Sequence, residues 1–161
     1  MYYCLLMYYT GMRPNEALQL RWCDVDMIGD SYRFNVAPTT KTGARIVIAP
    51  PEMKKLIVDL YVLTGKVEEP NRLLFCDQDG EAVEMAYKTV KKLFYDAGVL
   101  KDDFNQERTA YSFRHTYATE MILHGVPTEQ LAKNMGTSPL YIKKNYDHTT
   151  TPDFVKSLTR R

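Results

Sequence analysis

Thr10-Gly11-Met12-Arg13-Pro14-Asn15-Glu16-Ala17-Leu18-Gln19-Leu20-Arg21-Trp22-Cys23-Asp24 joins one helix to the next and then hands the chain to a sheet. Ahead of it, Met1 to Tyr9 is apolar and aromatic throughout, the mark of a helix buried on all sides. Thr10-Gly11-Met12 breaks that helix, and Pro14 opens the next, at a position where no backbone donor is needed. Leu18, Gln19, Leu20 and Trp22 finish it. Beyond, Val25 to Ile28 and Tyr32 to Val36 read as two short strands around a Gly29-Asp30 turn. Thr39 to Gly43 is a second turn with Lys41 at its tip. The β-branched run Ala44 to Ala49, bounded by Pro50-Pro51, closes a three-stranded antiparallel sheet.

The remainder reads as helix. Met53, Leu56, Ile57, Leu60, Tyr61 and Leu63 recur at helical spacing, with Thr64-Gly65 as the stop. After Pro70 and the apolar patch Leu73 to Phe75, an amphipathic helix runs from Val83 to Ala97. Helices follow over Thr109 to His124, Thr128 to Met135 and Ser138 to Tyr146, with a further one over Pro152 to Leu158. The expected class is α+β: one domain over 1–161, predominantly helical, with a small sheet at one end. The chain opens so abruptly inside an apolar stretch that it reads as starting partway through a larger protein.

Composition is ordinary for a globular domain, and no apolar run reaches the ~20 residues of a membrane span. Met1 to Met7 lacks the basic flank of a secretory signal, so a cytoplasmic protein is expected. Cys4, Cys23 and Cys76 form no CxxC pair and are expected as buried thiols. Twenty-one basic against twenty acidic side chains leave a net charge of +1, which alone says little about nucleic acid. The distribution says more: acidic residues gather in the middle, and Lys133, Lys143, Lys144, Lys156, Arg160 and Arg161 make the last third basic. Phosphate-binding glycine loops, HExxH and GxSxG are missing, and the acidic residues form no metal-ligand motif.

Transfer of a phosphodiester with no metal needs fixed cations on the non-bridging oxygens, a nucleophile, and an acid for the leaving oxygen. Arginine suits the first task because its planar fork holds two oxygens at once. The segment from Thr10 to Asp24 resembles the first arginine box of tyrosine recombinases of the phage-integrase type, in which TGxRxxE leads into LxWxD. Thr40-Lys41-Thr42-Gly43, ahead of a strand, resembles that family's hairpin lysine. Tyr111-Ser112-Phe113-Arg114-His115, then Gly136-Thr137-Ser138, then Asn145-Tyr146 resembles its second arginine box and nucleophile segment, with Thr137 nine positions before Tyr146.

The resemblance implies a catalytic set of Arg13, Lys41, Tyr111, Arg114, Thr137 and Tyr146. Arg13 and Arg114 hold the scissile phosphate, Tyr146 attacks to give a 3′-phosphotyrosyl link, and Lys41 protonates the departing 5′-oxygen. Glu16 supports, orienting Arg13 or the hairpin lysine. It further implies no cofactor and no metal, double-stranded DNA as partner, a tetramer on DNA and a monomer otherwise. The setting it implies is prokaryotic and nucleoid-associated, on a mobile genetic element. A DNA-clamping domain and the first helix or helices of the catalytic domain are expected to precede this chain.

Two positions depart from the family pattern: Tyr111 stands where His or Lys is usual, and Thr137 where His or Trp is usual. Both keep a hydroxyl donor. The departures leave open a catalytically degenerate DNA-binding relative, and a type IB topoisomerase would share the chemistry. Simpler readings compete too. Arg13 and Glu16 three apart commonly pair on a helix surface, a turn lysine is commonly solvated, and Tyr146 is one of twelve tyrosines. His115, beside core residues, is expected to make a structural hydrogen bond and is left out of the catalytic set.

Overall fold

The computed structural model describes residues 1–37, 43–64, 69–77, 79–82 and 86–146. Helix α1 (Tyr2–Thr10) is followed by α2 (Pro14–Gln19), a 3-10 turn over Trp22–Asp24, strands β1 (Val25–Ile28), β2 (Ser31–Val36) and β3 (Arg45–Ala49), and helices α3 (Met53–Thr64), α4 (Ala86–Asp96), α5 (Tyr111–Leu123), α6 (Thr128–Met135) and α7 (Pro139–Tyr146). The expected α+β architecture is what forms. Lys41, residues 83–85 of the helix expected from Val83, and the helix expected over Pro152 to Leu158 lie outside the described residues.

The first connection carries most of the architecture. Gly11 leaves α1 in the left-handed region at φ +62°, and its N–H caps the Met7 carbonyl at 2.9 Å. A Cβ there would lie 2.3 Å from Cδ1 of Tyr117, so the end of α1 presses directly on α5. Gly11→Ala should therefore cost about 3 kcal/mol, combining left-handed strain with overpacking, read as a fall in the denaturant midpoint. Gly29→Ala is the control: its φ is +58° but nothing lies within 4 Å, so only the strain component, about 1 kcal/mol, should appear. Equal losses at the two sites would mean that the α1–α5 contact contributes nothing.

Helix α2 stops earlier than the apolar spacing suggests. Leu20 is extended (φ −63°, ψ 137°), and the backbone turns aside to bond a distant segment: Trp22 N–H donates to Arg72 O at 3.0 Å and Leu74 N–H to Leu20 O at 2.9 Å. The apolar patch Leu73 to Phe75 thus finds its role as a partner for this corner. In the sheet, ordered β1-β2-β3 and antiparallel, Tyr32, Phe34 and Val36 face the core opposite Ala49, Val47 and Arg45. An arginine therefore occupies the last rung of an otherwise apolar row.

The buried residues form two clusters. One gathers α1, α2, the sheet, α3 and α4 around Phe34, Leu6, Met7 and Met53. The other joins α5, α6 and α7 through Tyr117, Ala118, Leu131, Met135, Ile142 and Tyr146. In α3, Met53, Leu56, Ile57 and Leu60 are buried as expected. Leu63 is 67 % exposed because it falls off that stripe, and Tyr61 is half exposed, its ring edge-on to Trp22 at 6.1 Å. Of the cysteines, Cys4 is buried, Cys76 is intermediate, and Cys23 is exposed, contrary to expectation, because the early end of α2 turns it outward on the 3-10 turn. Among the described residues no helix is long and apolar enough to cross a membrane.

Candidate active site

The seam between the two clusters is where the charged residues collect. Arg13 precedes Pro14 in extended conformation (φ −72°, ψ 147°), and its backbone N–H is taken by the Glu16 carboxylate at 2.9 Å, half of a capping box. Among the contacts of the guanidinium, Nη1 donates to Glu16 Oε1 at 2.9 Å, and Nη2 donates to Gly136 O at 2.7 Å, across 123 residues of sequence.

Arg114, on α5, is 4 % exposed. Its Nη1 donates to Met135 O at 2.8 Å and also to Gly11 O. Among the described residues it forms no ion pair; main-chain carbonyls hold this buried guanidinium, and the Tyr146 phenol lies within its hydrogen-bonding reach. Burial lowers its pKa, and the neighbouring Arg13 and Arg45 charges lower it further, against the pull of Tyr146 and Glu16. The two arginines thus bind consecutive main-chain carbonyls, Met135 and Gly136, at the turn from α6 into α7. The left-handed Gly136 (φ +65°) makes that turn possible, and Thr137 N–H seals it on Ala132 O at 2.9 Å.

Tyr146, at the end of α7, is 5 % exposed. Its ring is flanked by His115 at 5.3 Å and Tyr141 at 6.1 Å. His115 makes no hydrogen bond among the described residues; it packs on the tyrosine instead of satisfying the core, and burial together with Arg114 lowers its pKa. For Tyr146 itself, burial raises the phenol's pKa and outweighs Arg114 and Arg13, which pull it down. In this conformation desolvation wins and the phenol is protonated.

Tyr111 and Thr137 sit at the rim. Tyr111, 48 % exposed, starts α5 one turn before Arg114; its phenol adds, after burial and Cys4, to the raised pKa of Tyr3. Thr137 is half-buried directly after Gly136. Neither hydroxyl is bonded to a described residue, which leaves both donors available. Lys41 lies outside the described residues.

Glu16 does more than the sequence suggests. Besides Arg13 it takes two bonds from Arg45, Nη1 to Oε1 at 3.0 Å and Nη2 to Oε2 at 2.6 Å, the fork-on-carboxylate geometry that gives the strongest ion pairs. Arg45 was not anticipated. Its signal was present in the alternation of β3, where Arg45 falls in phase with the buried Val47 and Ala49 and so must enter the core with a partner. Among the described residues, three guanidiniums and one carboxylate give the seam an excess of two positive charges.

Burial raises the Glu16 pKa, but hydrogen bonds from Arg45 and Arg13 and the Arg45 charge overcome it and bring the value down to about 2. A carboxylate depressed from about 4.5 to about 2 stabilises the fold fully above pH 4.5, and that contribution disappears as pH falls toward 2. Its size is about 3 kcal/mol. Glu16→Gln should lower stability at pH 7 by that order and flatten the curve between pH 4.5 and 2, as followed by urea titration at several pH values. An unchanged acid limb would show that the carboxylate is not held by these arginines.

A mostly helical domain with a three-stranded sheet, whose two clusters meet at arginines held by a left-handed turn and facing a sheltered tyrosine, defines the class. The family model described as the phage integrase family matches residues 2–152, and the chain belongs to that family. It is 25 % identical over 142 residues to the tyrosine recombinase XerH of Helicobacter pylori, covering 87 % of this chain and 38 % of that protein. It is 26 % identical over 160 residues to the tyrosine recombinase XerC of Rickettsia canadensis, covering 96 % and 48 %. The chain therefore spans less than half the length of these relatives. Its fold matches the solved structure of XerH bound to palindromic difH substrate in a post-cleavage complex (TM-score 0.76, 24 % identity, 98 % of this chain and 44 % of that one). It also matches that of XerA recombinase (TM-score 0.75, 22 % identity, 97 % and 57 %).

Proposed function

We propose that this chain cuts and rejoins double-stranded DNA as the catalytic domain of a tyrosine-type site-specific recombinase. The observation that carries the reading is the convergence of Arg13 and Arg114, from distant parts of the sequence, on the adjacent carbonyls of Met135 and Gly136, beside Tyr146. Surplus positive charge in a partly desolvated seam is suited to a phosphate, and forked donors suit its paired oxygens. The carbonyls hold each fork through one nitrogen, and the N–H groups beyond those contacts are the donors for the phosphate. Support also comes from relatives named as tyrosine recombinases and from the XerH structures described as complexes with a difH substrate.

In the proposed reaction the Tyr146 phenol gives up its proton to water and its oxygen attacks phosphorus, while Arg13 and Arg114 balance charge on the non-bridging oxygens. The bond to the 5′-oxygen breaks, Lys41 protonates that oxygen, and a 3′-phosphotyrosyl ester conserves the bond energy for rejoining. Tyr111 and Thr137 supply hydrogen bonds from the rim, and Glu16 holds Arg13. The role of Lys41 rests on its place in the family pattern. Strand exchange within a DNA-bound tetramer, a monomeric free state, action on a mobile element and a cytoplasmic prokaryotic setting extend the same reading.

The test uses duplexes with a randomised arm and a nick beside each possible cleavage position, so that the cut 5′-end diffuses away. The protein should be trapped as a covalent adduct resolved on a denaturing gel, with recovered sequences converging on a site. Binding without any adduct would point to a degenerate DNA-binding relative. Relaxation of supercoiled DNA with adducts at unrelated sequences would favour a topoisomerase.

A further inference from the structure

Asn134, in the last turn of α6, ties together three other parts of the chain. Its Oδ1 accepts from Ile48 N–H at 2.8 Å, and its Nδ2 donates to Tyr117 Oη at 2.9 Å, with longer contacts to Thr10 O and Ile48 O at 3.4 Å each. Because β3 is an edge strand, the amide takes both main-chain groups of Ile48 as another strand would. The Asn134 carbonyl also accepts from Arg45 Nε at 3.2 Å. The partners are informative. Thr10 precedes the turn carrying Arg13, Tyr117 lies one helical turn beyond Arg114, and Ile48 shares a strand with Arg45. The two residues directly after Asn134 are Met135 and Gly136, whose carbonyls hold Arg114 and Arg13.

We propose that Asn134 is a positioning residue that locks the α6–α7 turn to the sheet edge and to α5, and so sets the separation of the Arg13 and Arg114 guanidiniums. An apolar residue at 134 would still pack, but packing is not directional, and it would leave the Ile48 main-chain groups and the Tyr117 hydroxyl without these partners. A displacement of about 1 Å at the arginines is enough to cost on the order of 10² in rate. The consequence for rate rests on the DNA-cleavage reading; the consequence for geometry does not.

The experiment compares the parent chain with Asn134→Ala, Asn134→Asp and the milder Tyr117→Phe, at a temperature where melting curves show every variant tested to be folded. On nicked duplex, Asn134→Ala should form adduct at least about tenfold more slowly at saturating DNA while its Kd stays within about twofold. Asn134→Asp can still accept from Ile48 N–H and the Tyr117 hydroxyl, so it should recover part of the rate, and Tyr117→Phe should shift it in the same direction by less. Nitrogen NMR of the guanidinium groups needs no turnover: Arg13 and Arg114 should show slowly rotating, separate Nη signals in the parent that average in Asn134→Ala. Unchanged signals, an unchanged rate, or a loss of rate matched by an equal loss of affinity would each overturn the proposal. If the parent itself forms no adduct, the cleavage reading fails, and the NMR comparison alone decides the role of Asn134.

Discussion

Tyr146→Phe should abolish covalent adduct formation on nicked duplex while leaving DNA affinity within about twofold of the parent. The variant deletes one oxygen from a ring that is 5 % exposed and clasped by His115 and Tyr141, so the packing that holds α7 in place survives. Stability should change by no more than about 1 kcal/mol, the usual worth of a single hydroxyl. Rate is another matter: with no nucleophile there is no phosphotyrosyl ester, and the loss should reach the detection limit. The chain has twelve tyrosines, so Tyr141→Phe is the necessary companion. It should keep adduct formation, since Tyr146, not Tyr141, is the phenol whose charge acts on Arg114. Adduct formed by Tyr146→Phe and lost in Tyr141→Phe would transfer the nucleophile to the neighbouring ring and overturn the assignment.

Arg114→Lys should slow adduct formation on the order of 10²–10³, the effect of losing a preorganised donor to a transition-state oxygen. Charge is retained, but the fork is not: one ammonium cannot bond the Gly11 and Met135 carbonyls while also presenting paired donors to a phosphate. Arg114→Ala should lose at least as much rate and also destabilise the fold by about 2 kcal/mol, because two buried carbonyls lose their donor. Single-turnover rates at saturating DNA, measured beside melting temperatures, separate the two effects. A parent-like rate in Arg114→Lys would mean that Arg114 is a structural clamp between α1 and α5, and that the phosphate is held elsewhere.

The features legible in the sequence were those fixed by local rules. Pro14 set the start of α2, Gly11, Gly125 and Gly136 set helix ends, and Gly29-Asp30 fixed a hairpin whose register gives Ile28 opposite Ser31. The boundaries of α5 and α7 fell within two residues of expectation, and Ser138 proved to be the cap of α7, its hydroxyl accepting from Tyr141 N–H at 3.1 Å. What the sequence hid depended on partners far along the chain. The early end of α2 is set by Arg72 and Leu74, and the pairing of Glu16 with Arg45 spans 29 residues. His115 was read from the apolar residues around it on α5, whereas its actual neighbour arrives from α7. The protonation state of Tyr146 was hidden for a related reason. The nearness of the arginines could be inferred from motif order, but the depth of burial that counters them is a property of the assembled seam.

Each arginine takes a peptide carbonyl of the α6–α7 turn as an anchor, Arg13 in addition to its Glu16 carboxylate, and this bears on how the site could drift under mutation. A side-chain anchor vanishes with one codon change, while a carbonyl survives every substitution that preserves the local dihedral angles. Position 135 should therefore accept Leu or Ile with little functional penalty if volume is kept, since only the oxygen of its peptide is engaged. Position 136 has no such latitude. It needs a positive φ, and a methyl group there would meet the Arg45 guanidinium at 2.6 Å, so the whole tolerance of this loop to genetic change hangs on one residue without a side chain.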